Sequence, residues 1–219
     1  MVRFEDVKND GAVRTYIKAA DESLAALGYT EHSLAHVGSV ANTAANILEC
    51  LGFDERRVEI AKIAGYLHDI GNLVNRTDHS QSGAIMAFRI LDKMGMDPEE
   101  ITAIVTAIGN HDEGTGVPVN EIAAALILAD KSDVRRSRVR NRDFSTFDIH
   151  DRVNYSVVDS ELKINTSEKT VRLVLKIDTE ISSLMEYFEI FLGRMTLCVH
   201  AAKKLGLAFK LTINEQNFI

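Results

Sequence analysis

Tryptophan is absent, and the 219 residues contain only two prolines and two cysteines. Each scarcity excludes something. Without a proline-rich or Ser/Gly-rich stretch, no flexible domain boundary, internal repeat or low-complexity segment is expected. Cys50 and Cys198 lie far apart, form no CxxC pair and sit in apolar periodic segments. A disulfide framework is thereby excluded, and two buried free thiols are predicted. Long hydrophobic runs are also missing. The longest, IAAALILA at 122–129, falls far short of the roughly 20 residues that span a bilayer. The opening MVRFEDVKND mixes acids and bases where an export signal needs a basic start and an apolar stretch. A cytoplasmic chain with no membrane partner is therefore expected. Positive charge is in deficit too: 25 Lys and Arg against 32 Asp and Glu give a net charge of −7. General attraction to nucleic acid is not expected from such a chain, because it needs clustered cations.

What is present is a helical pattern. Through residue 140, apolar residues recur at spacings of three and four between start and stop signals. The spacing predicts helices over 12–27, with Gly28 ending the first, and over 30–51. A third, capped by Asp54, leads through Ile60, Ile63 and Leu67 to His68 and Asp69, with Gly71 in a left-handed terminal turn. Further helices are predicted over 80–94 and after DPEE at 97–100, where Asp97 caps, Pro98 takes the first helical position and Glu100 closes a capping box. Another begins near Asn120. Near residue 150 the period changes. TVRLVLKI at 170–177 alternates apolar and polar positions, and 155–164 does so loosely, predicting a β-hairpin. Asp178 is then expected to cap a long helix whose stripe of Ile181, Leu184, Met185, Phe188, Leu192, Met195, Val199, Ala202 and Leu205 faces the core. LAFKLTI at 207–213 predicts a last strand.

Five of the seven histidines, His32, His36, His68, His79 and His111, fall in the helical part beside Asp69 and Asp130. His32 and His36 share a helix face at a spacing of four. His68 and Asp69 sit at a helix end, and Asp130 follows the apolar ALILA. Singly, each has a bland reading: His32 and His79 as satisfied boundary residues, Asp130 as a helix cap. Together they are costly to bury unless something satisfies them, and a metal would. Imidazoles mixed with carboxylates suit Mn, Fe, Co, Ni or Zn, whereas an all-oxygen set would favour Mg or Ca.

His36, the His68-Asp69 pair inside AGYLHDIGN, and Asp130 in LADKSD resemble the ordered His…His-Asp…Asp motif of the HD-domain superfamily of metal-dependent phosphohydrolases, over roughly residues 30 to 140. The resemblance implies a mainly α fold, an HD-domain helical bundle over 1–149; the small α+β unit of hairpin, long helix and strand over 150–219, read from the periodicity and expected to pack on it, matches no part of the HD core. HSQSGA at 79–84 and IGNHDEGTGVP at 108–118 resemble the additional motifs of the binuclear branches, the HD-GYP phosphodiesterases and the HD proteins that cleave diadenosine polyphosphates. By that resemblance His36, His68, Asp69 and Asp130 hold one divalent transition-metal ion, and His79 and His111, with Asp69 bridging, hold a second. His32 lies where some trinuclear members have a glutamate ligand, which makes it an additional candidate. Asn72, Asn110-His111 and Gly116-Val117-Pro118 depart from the HD-GYP pattern, which has a lysine, paired histidines and Gly-Tyr-Pro there, and argue against a cyclic di-GMP phosphodiesterase.

The implied activity is hydrolysis of a phosphomonoester, phosphodiester or nucleotide by a metal-activated water, with Asp69 orienting the nucleophile. Within DKSDVRRSRVRNR at 130–142, Lys131 and Arg135 are the candidates for substrate phosphate, Lys131 also as a catalytic cation. The rest of the run reads as a solvated helix face. The implied partner is a small phosphorylated substrate, a nucleotide among the candidates. Two alternatives stand beside this: a di-iron HD-fold oxygenase using nearly the same ligands, and a non-catalytic sensing or scaffold protein. The C-terminal unit is expected to shape the pocket, bind a regulator or form a homodimer surface.

Overall fold

The computed structural model describes residues 1–219. Nine helices of more than one turn follow in order: α1 (Phe4–Asn9), α2 (Gly11–Ala26), α3 (Leu34–Cys50), α4 (Glu55–Leu67), α5 (His79–Lys93), α6 (Pro98–Gly109), α7 (Glu121–Ser132), α8 (Ile149–Ser156) and α9 (Leu184–Lys204). Their starts obey local capping chemistry. Asp10, Ser33, Asp54, Asp97 and Asn120 each accept a backbone N–H of the first turn of the helix that follows, satisfying donors that have no intrahelical partner. No helix is long and apolar enough to cross a membrane.

Small residues decide how closely the helices approach. A Cβ at Gly65 would lie 2.7 Å from the Ala41 Cα, so glycine there lets α4 lie against α3. That contact brings the rings of His36 and His68 to 5.3 Å. α7 runs through the middle, with every residue from Ile122 to Ala129 at 0–1% exposure. An all-round apolar helix of this kind must be enclosed by its neighbours, and it delivers Asp130 to the place where α3 and α4 present their histidines.

Four strands follow the body: β1 (Val157–Asn165), β2 (Thr170–Ile177), β3 (Ala208–Ile213) and β4 (Gln216–Asn217), in the order β1-β2-β3-β4. β1 and β2 form the predicted antiparallel hairpin. β3 pairs with β2 in parallel, from Thr170↔Ala208 to Leu175↔Ile213, so α9 is the crossover that a parallel pair requires. Val171, Leu173, Leu175 and Ile177 alternate inward with Phe209, Leu211 and Ile213 from β3, and one continuous apolar core joins this sheet face to the helices.

Several local expectations are corrected. α3 begins at Leu34, not Thr30, because Ser33 takes the cap and the preceding segment is tied elsewhere: Glu31 N–H donates to the Arg138 carbonyl and His32 N–H to Asp21 Oδ1. Gly71 is not left-handed. It lies in a 3-10 turn, Ile70–Leu73, and is needed because a Cβ would fall 2.0 Å from the His79 carbonyl and 2.4 Å from Gly83 N. Glu100 closes no capping box but accepts from Arg56 Nε at 2.6 Å. Asp178 is not the cap of α9; Ser183 is, with Glu186 completing the box.

On α9 the buried face is Tyr187, Phe191, Met195, Cys198 and Ala202, while Met185 (76%), Leu192 (60%) and Val199 (37%) of the expected stripe are exposed. The helix carries two adjacent apolar stripes, and only one meets α7 and the sheet. Cys198 is a buried free thiol, its pKa pushed up to about 12 by burial. Cys50, in the last turn of α3, is exposed. Finally, the basic run after Ser132 is no solvated helix face. Arg138 is buried and donates from Nε to the Glu31 carbonyl (2.8 Å) and from Nη1 to the Asp133 carbonyl (2.6 Å). Arg136 donates to the Tyr155 carbonyl, and Arg140 pairs with Asp21. Arg138 and Arg136 thus tie down main-chain carbonyls, and Arg140 a carboxylate.

Candidate metal centre

Four of the cage imidazoles are oriented by the main chain. His68 follows the last turn of α4 and donates Nδ1–H to the Gly65 carbonyl at 2.8 Å; His111 follows α6 and donates to Ile108 at 2.6 Å. These carbonyls belong to helix ends, where they have no i+4 donor. His79, at the start of α5, donates to Arg76 at 3.0 Å, and His32 to Thr30 at 2.7 Å. His36 alone uses a side chain, donating Nδ1–H to Asp133 Oδ2 at 2.7 Å. Acceptors at every Nδ1 fix the tautomer, since a neutral imidazole carries one N–H. The Nε2 atom of each of the five rings is therefore turned toward the centre, and Arg76 Nη1 also approaches that of His79, at 3.5 Å.

That centre is Asp69. Its Oδ2 lies 3.2 Å from His68 Nε2, 3.5 Å from His36 Nε2 and 4.0 Å from His32 Nε2. Its Oδ1 lies 3.5 Å from His79 Nε2 and 4.0 Å from His111 Nε2. Asn72 steadies the carboxylate, donating from Nδ2 to Asp69 Oδ1 at 3.0 Å and to its carbonyl at 2.9 Å. Asp130 Oδ1 faces His36 and His68 at 3.5 and 3.6 Å. Two sets of ligand atoms thus converge, His36–His68–Asp130 and His68–Asp69–His111, each within 4.8 Å.

The donors fit a cation. His36 Nε2, His68 Nε2 and Asp69 Oδ2 are buried without a hydrogen-bond partner, each a deficit of about 1–3 kcal/mol if nothing else satisfies it. His79 Nε2 and His111 Nε2 face each other at 3.2 Å. With both Nδ1 atoms donating, two lone pairs meet there, an arrangement that calls for a positive group between them. A mixed nitrogen and oxygen donor set suits a first-row transition ion.

Electrostatics divide the imidazoles into two groups. Burial takes His32 and His111 down to about 3, and it lowers His79 with help from Arg76. These three rings are neutral. At His68 burial also opposes the proton, but Asp69 and Asp130 outweigh it and raise the pKa to about 10. At His36 burial and Arg138 oppose, and Asp130, Asp133 and Asp69 prevail, so its pKa rises too. Burial works against ionisation of Asp69 and Asp130, yet His68 beside the first and Lys131 beside the second keep both far below the ordinary carboxylate range.

The cage opens into a cavity of about 490 Å³ between the helical body and the C-terminal unit. His32, Asp69, His79, His111, Asp130 and Lys131 all line it. Lys131 is 5% exposed, with Nζ 2.6 Å from Asp130 Oδ2 and 3.7 Å from Glu113 Oε1. Arg135 is the predicted site residue that is not brought in: it lies outside the cavity lining and grips Asp133 through Nε and Nη2 at 2.6 and 3.0 Å. The cations that line the cavity instead, besides Lys131, are Arg76, Arg138 and Arg194. Sequence reasoning missed Asp133, Asn72, Arg76 and Arg194. DKSD, with a second acid three residues after Asp130, was the one local signal for Asp133; Arg194, in the middle of an amphipathic helix, had none.

Compared with known proteins, the family model of the HD domain matches residues 33–152. That span runs from the cap of α3 into α8 and contains every cage residue except His32. An uncharacterized protein of the archaeon Methanocaldococcus jannaschii is 28% identical over 204 residues, covering 82% of this chain and 77% of its own length.

Proposed function

The chain belongs to the HD-domain family, a superfamily of metal-dependent phosphohydrolases, and from that premise we propose that it hydrolyses a small phosphate ester at a centre of two divalent transition-metal ions. The reading rests on Asp69, whose two oxygens face two different groups of imidazoles. In it, His36, His68, Asp69 and Asp130 hold one cation and His79, His111 and Asp69 the other, with His32 in reach as an additional ligand. Bound there, such ions bring the pKa of a coordinated water toward neutrality and offset charge on a phosphoryl group.

The protein's own part is orientation and burial. Asp69 aligns the nucleophile from a carboxylate that Asn72 holds still. Lys131, beside Asp130 and open to the cavity, offers its ammonium to phosphate oxygens as charge develops. Burial of all the imidazoles but His32 below 3% exposure lowers the dielectric around the cage, which strengthens each of these interactions. A cavity of about 490 Å³ suits a substrate the size of a nucleotide. The test is elemental analysis of anaerobically purified protein, followed by a panel of mono- and diesters and nucleotides. Two metal ions per chain and release of phosphate or nucleotide product are expected. A metal-replete protein that releases nothing, yet consumes oxygen with an organic substrate, would replace this reading with the di-iron oxygenase.

A further inference from the structure

Part of the cavity wall belongs to α9, and it carries a cation whose donors its one hydrogen-bonded carboxylate uses only in part. Arg194 lines the cavity with its guanidinium stacked over the Phe191 ring, 4.1 Å from the centroid. The ring fixes the plane of the fork. One bond holds it in that plane, from Nε to Glu113 Oε1 at 2.9 Å; Nη1 and Nη2 make none. The same Glu113 oxygen lies 3.7 Å from Lys131 Nζ, and that ammonium contacts Asp130 Oδ2 at 2.6 Å. A chain of alternating charge thus runs from the cage to the C-terminal unit: Asp130, Lys131, Glu113, Arg194.

Its balance depends on where Asp130 spends its charge. Once Asp130 serves a metal cation, Lys131 and Arg194 share the single carboxylate of Glu113. The two Nη nitrogens of Arg194 then remain without a carboxylate partner at the cavity wall. Planar paired donors of that kind match phosphate oxygens. We propose that Arg194, with Lys131 beside it and Phe191 beneath it, forms a phosphate subsite on the wall facing the metal centre, so that the C-terminal unit completes the substrate site. The choice of phosphate as ligand rests on the phosphohydrolase reading; the two unbonded guanidinium nitrogens of Arg194 do not.

The test uses the full-length protein with its metal content counted, titrated with inorganic phosphate by calorimetry. Arg194→Gln is expected to weaken phosphate binding at least about tenfold, the loss of a charge-assisted pair, with metal content and melting temperature unchanged. Glu113→Gln, in a partly exposed loop where folding is not at stake, is expected to tighten binding, because it frees both cations from their shared carboxylate. Phosphate affinity within twofold of wild type in Arg194→Gln, failure of the wild type to bind phosphate, or no tightening in Glu113→Gln would each overturn the subsite. The two readings fail separately. A wild type that hydrolyses no ester but binds phosphate through Arg194 would end the hydrolase reading and keep the subsite. Ester hydrolysis and phosphate affinity both untouched by Arg194→Gln would do the reverse.

Discussion

Up to residue 149 the protein buries His36, His68, Asp69, His79, His111 and Asp133 in one contiguous cluster, whereas beyond it the buried polar residues are Ser156 and Ser182. Both serines are satisfied by near neighbours, Ser156 by the Val153 carbonyl and Ser182 by Glu186. The contrast separates two uses of burial. In the C-terminal unit, inward-facing Val171, Leu173, Leu211 and Tyr187 lower the free energy of folding through the apolar area they remove from water. In the helical body, burial of imidazoles and carboxylates opposes folding and has to be offset by charge pairing, with each other or with a cation. The first region is built for stability and shapes one wall of the cavity; the second carries a desolvation cost that ion pairs within the cage offset until a metal cation takes their place.

Changes on either side of that contrast should therefore have different consequences. Asp69→Asn, which removes the shared charge, is expected to lower turnover by about a thousandfold or more, the equivalent of several kcal/mol of lost metal assistance, with metal content falling below two ions per chain. Leu173→Ala in the sheet should instead cost about 2–5 kcal/mol of stability, seen in thermal melting, while leaving metal stoichiometry intact. If Leu173→Ala also emptied the metal centre, the two regions would not be separable in this way.

Finer effects sharpen the comparison inside the cage. Asp133→Asn, which weakens the anchor of His36 Nδ1, should reduce metal affinity by about 10–100-fold without unfolding the chain, measured by competition with a chelator. The pH dependence follows from His68, raised to about 10 because Asp69 and Asp130 outweigh its burial. A raised folded-state pKa means that the proton on His68 stabilises the metal-free protein fully below the ordinary histidine value, and that this contribution fades as pH climbs toward the raised one. Metal must displace that proton, so apparent affinity should rise about tenfold per pH unit for each proton released, until the pH nears about 10. A flat profile in chelator competition would mean that His68 is already unprotonated before the ion arrives.

Local signals carried much of this in the sequence. Asp54, Asp97 and Asn120 announce helix starts through side chains that bond only two or three residues ahead, and the alternation in β2 reports its buried face directly. The candidate ligands were legible for a related reason: His68 and Asp69 end an apolar run, and Asp130 ends another. What was not legible depends on distant partners. Asp133 meets His36 across 97 positions and Arg194 meets Glu113 across 81. The face of α9 was misjudged because Met185, Leu192 and Val199 keep the helical period as well as the stripe beside them, and only the contact with α7 and the sheet chooses between the two. Gly71 was read as a helix terminator, while its real constraint is the His79 backbone passing beside it.

The way the imidazoles are fastened sets a limit on how the centre can be altered. His32, His68, His79 and His111 each lean on a peptide oxygen, an atom that every amino acid supplies and no side-chain substitution deletes. Their aim is thus inherited from the course of the chain itself and is invisible to alanine scanning. Only His36, moored to Asp133, hangs from a group that a single codon can exchange, which makes that one ring the tuning peg through which selection or a designer could retune the centre without touching a ligand.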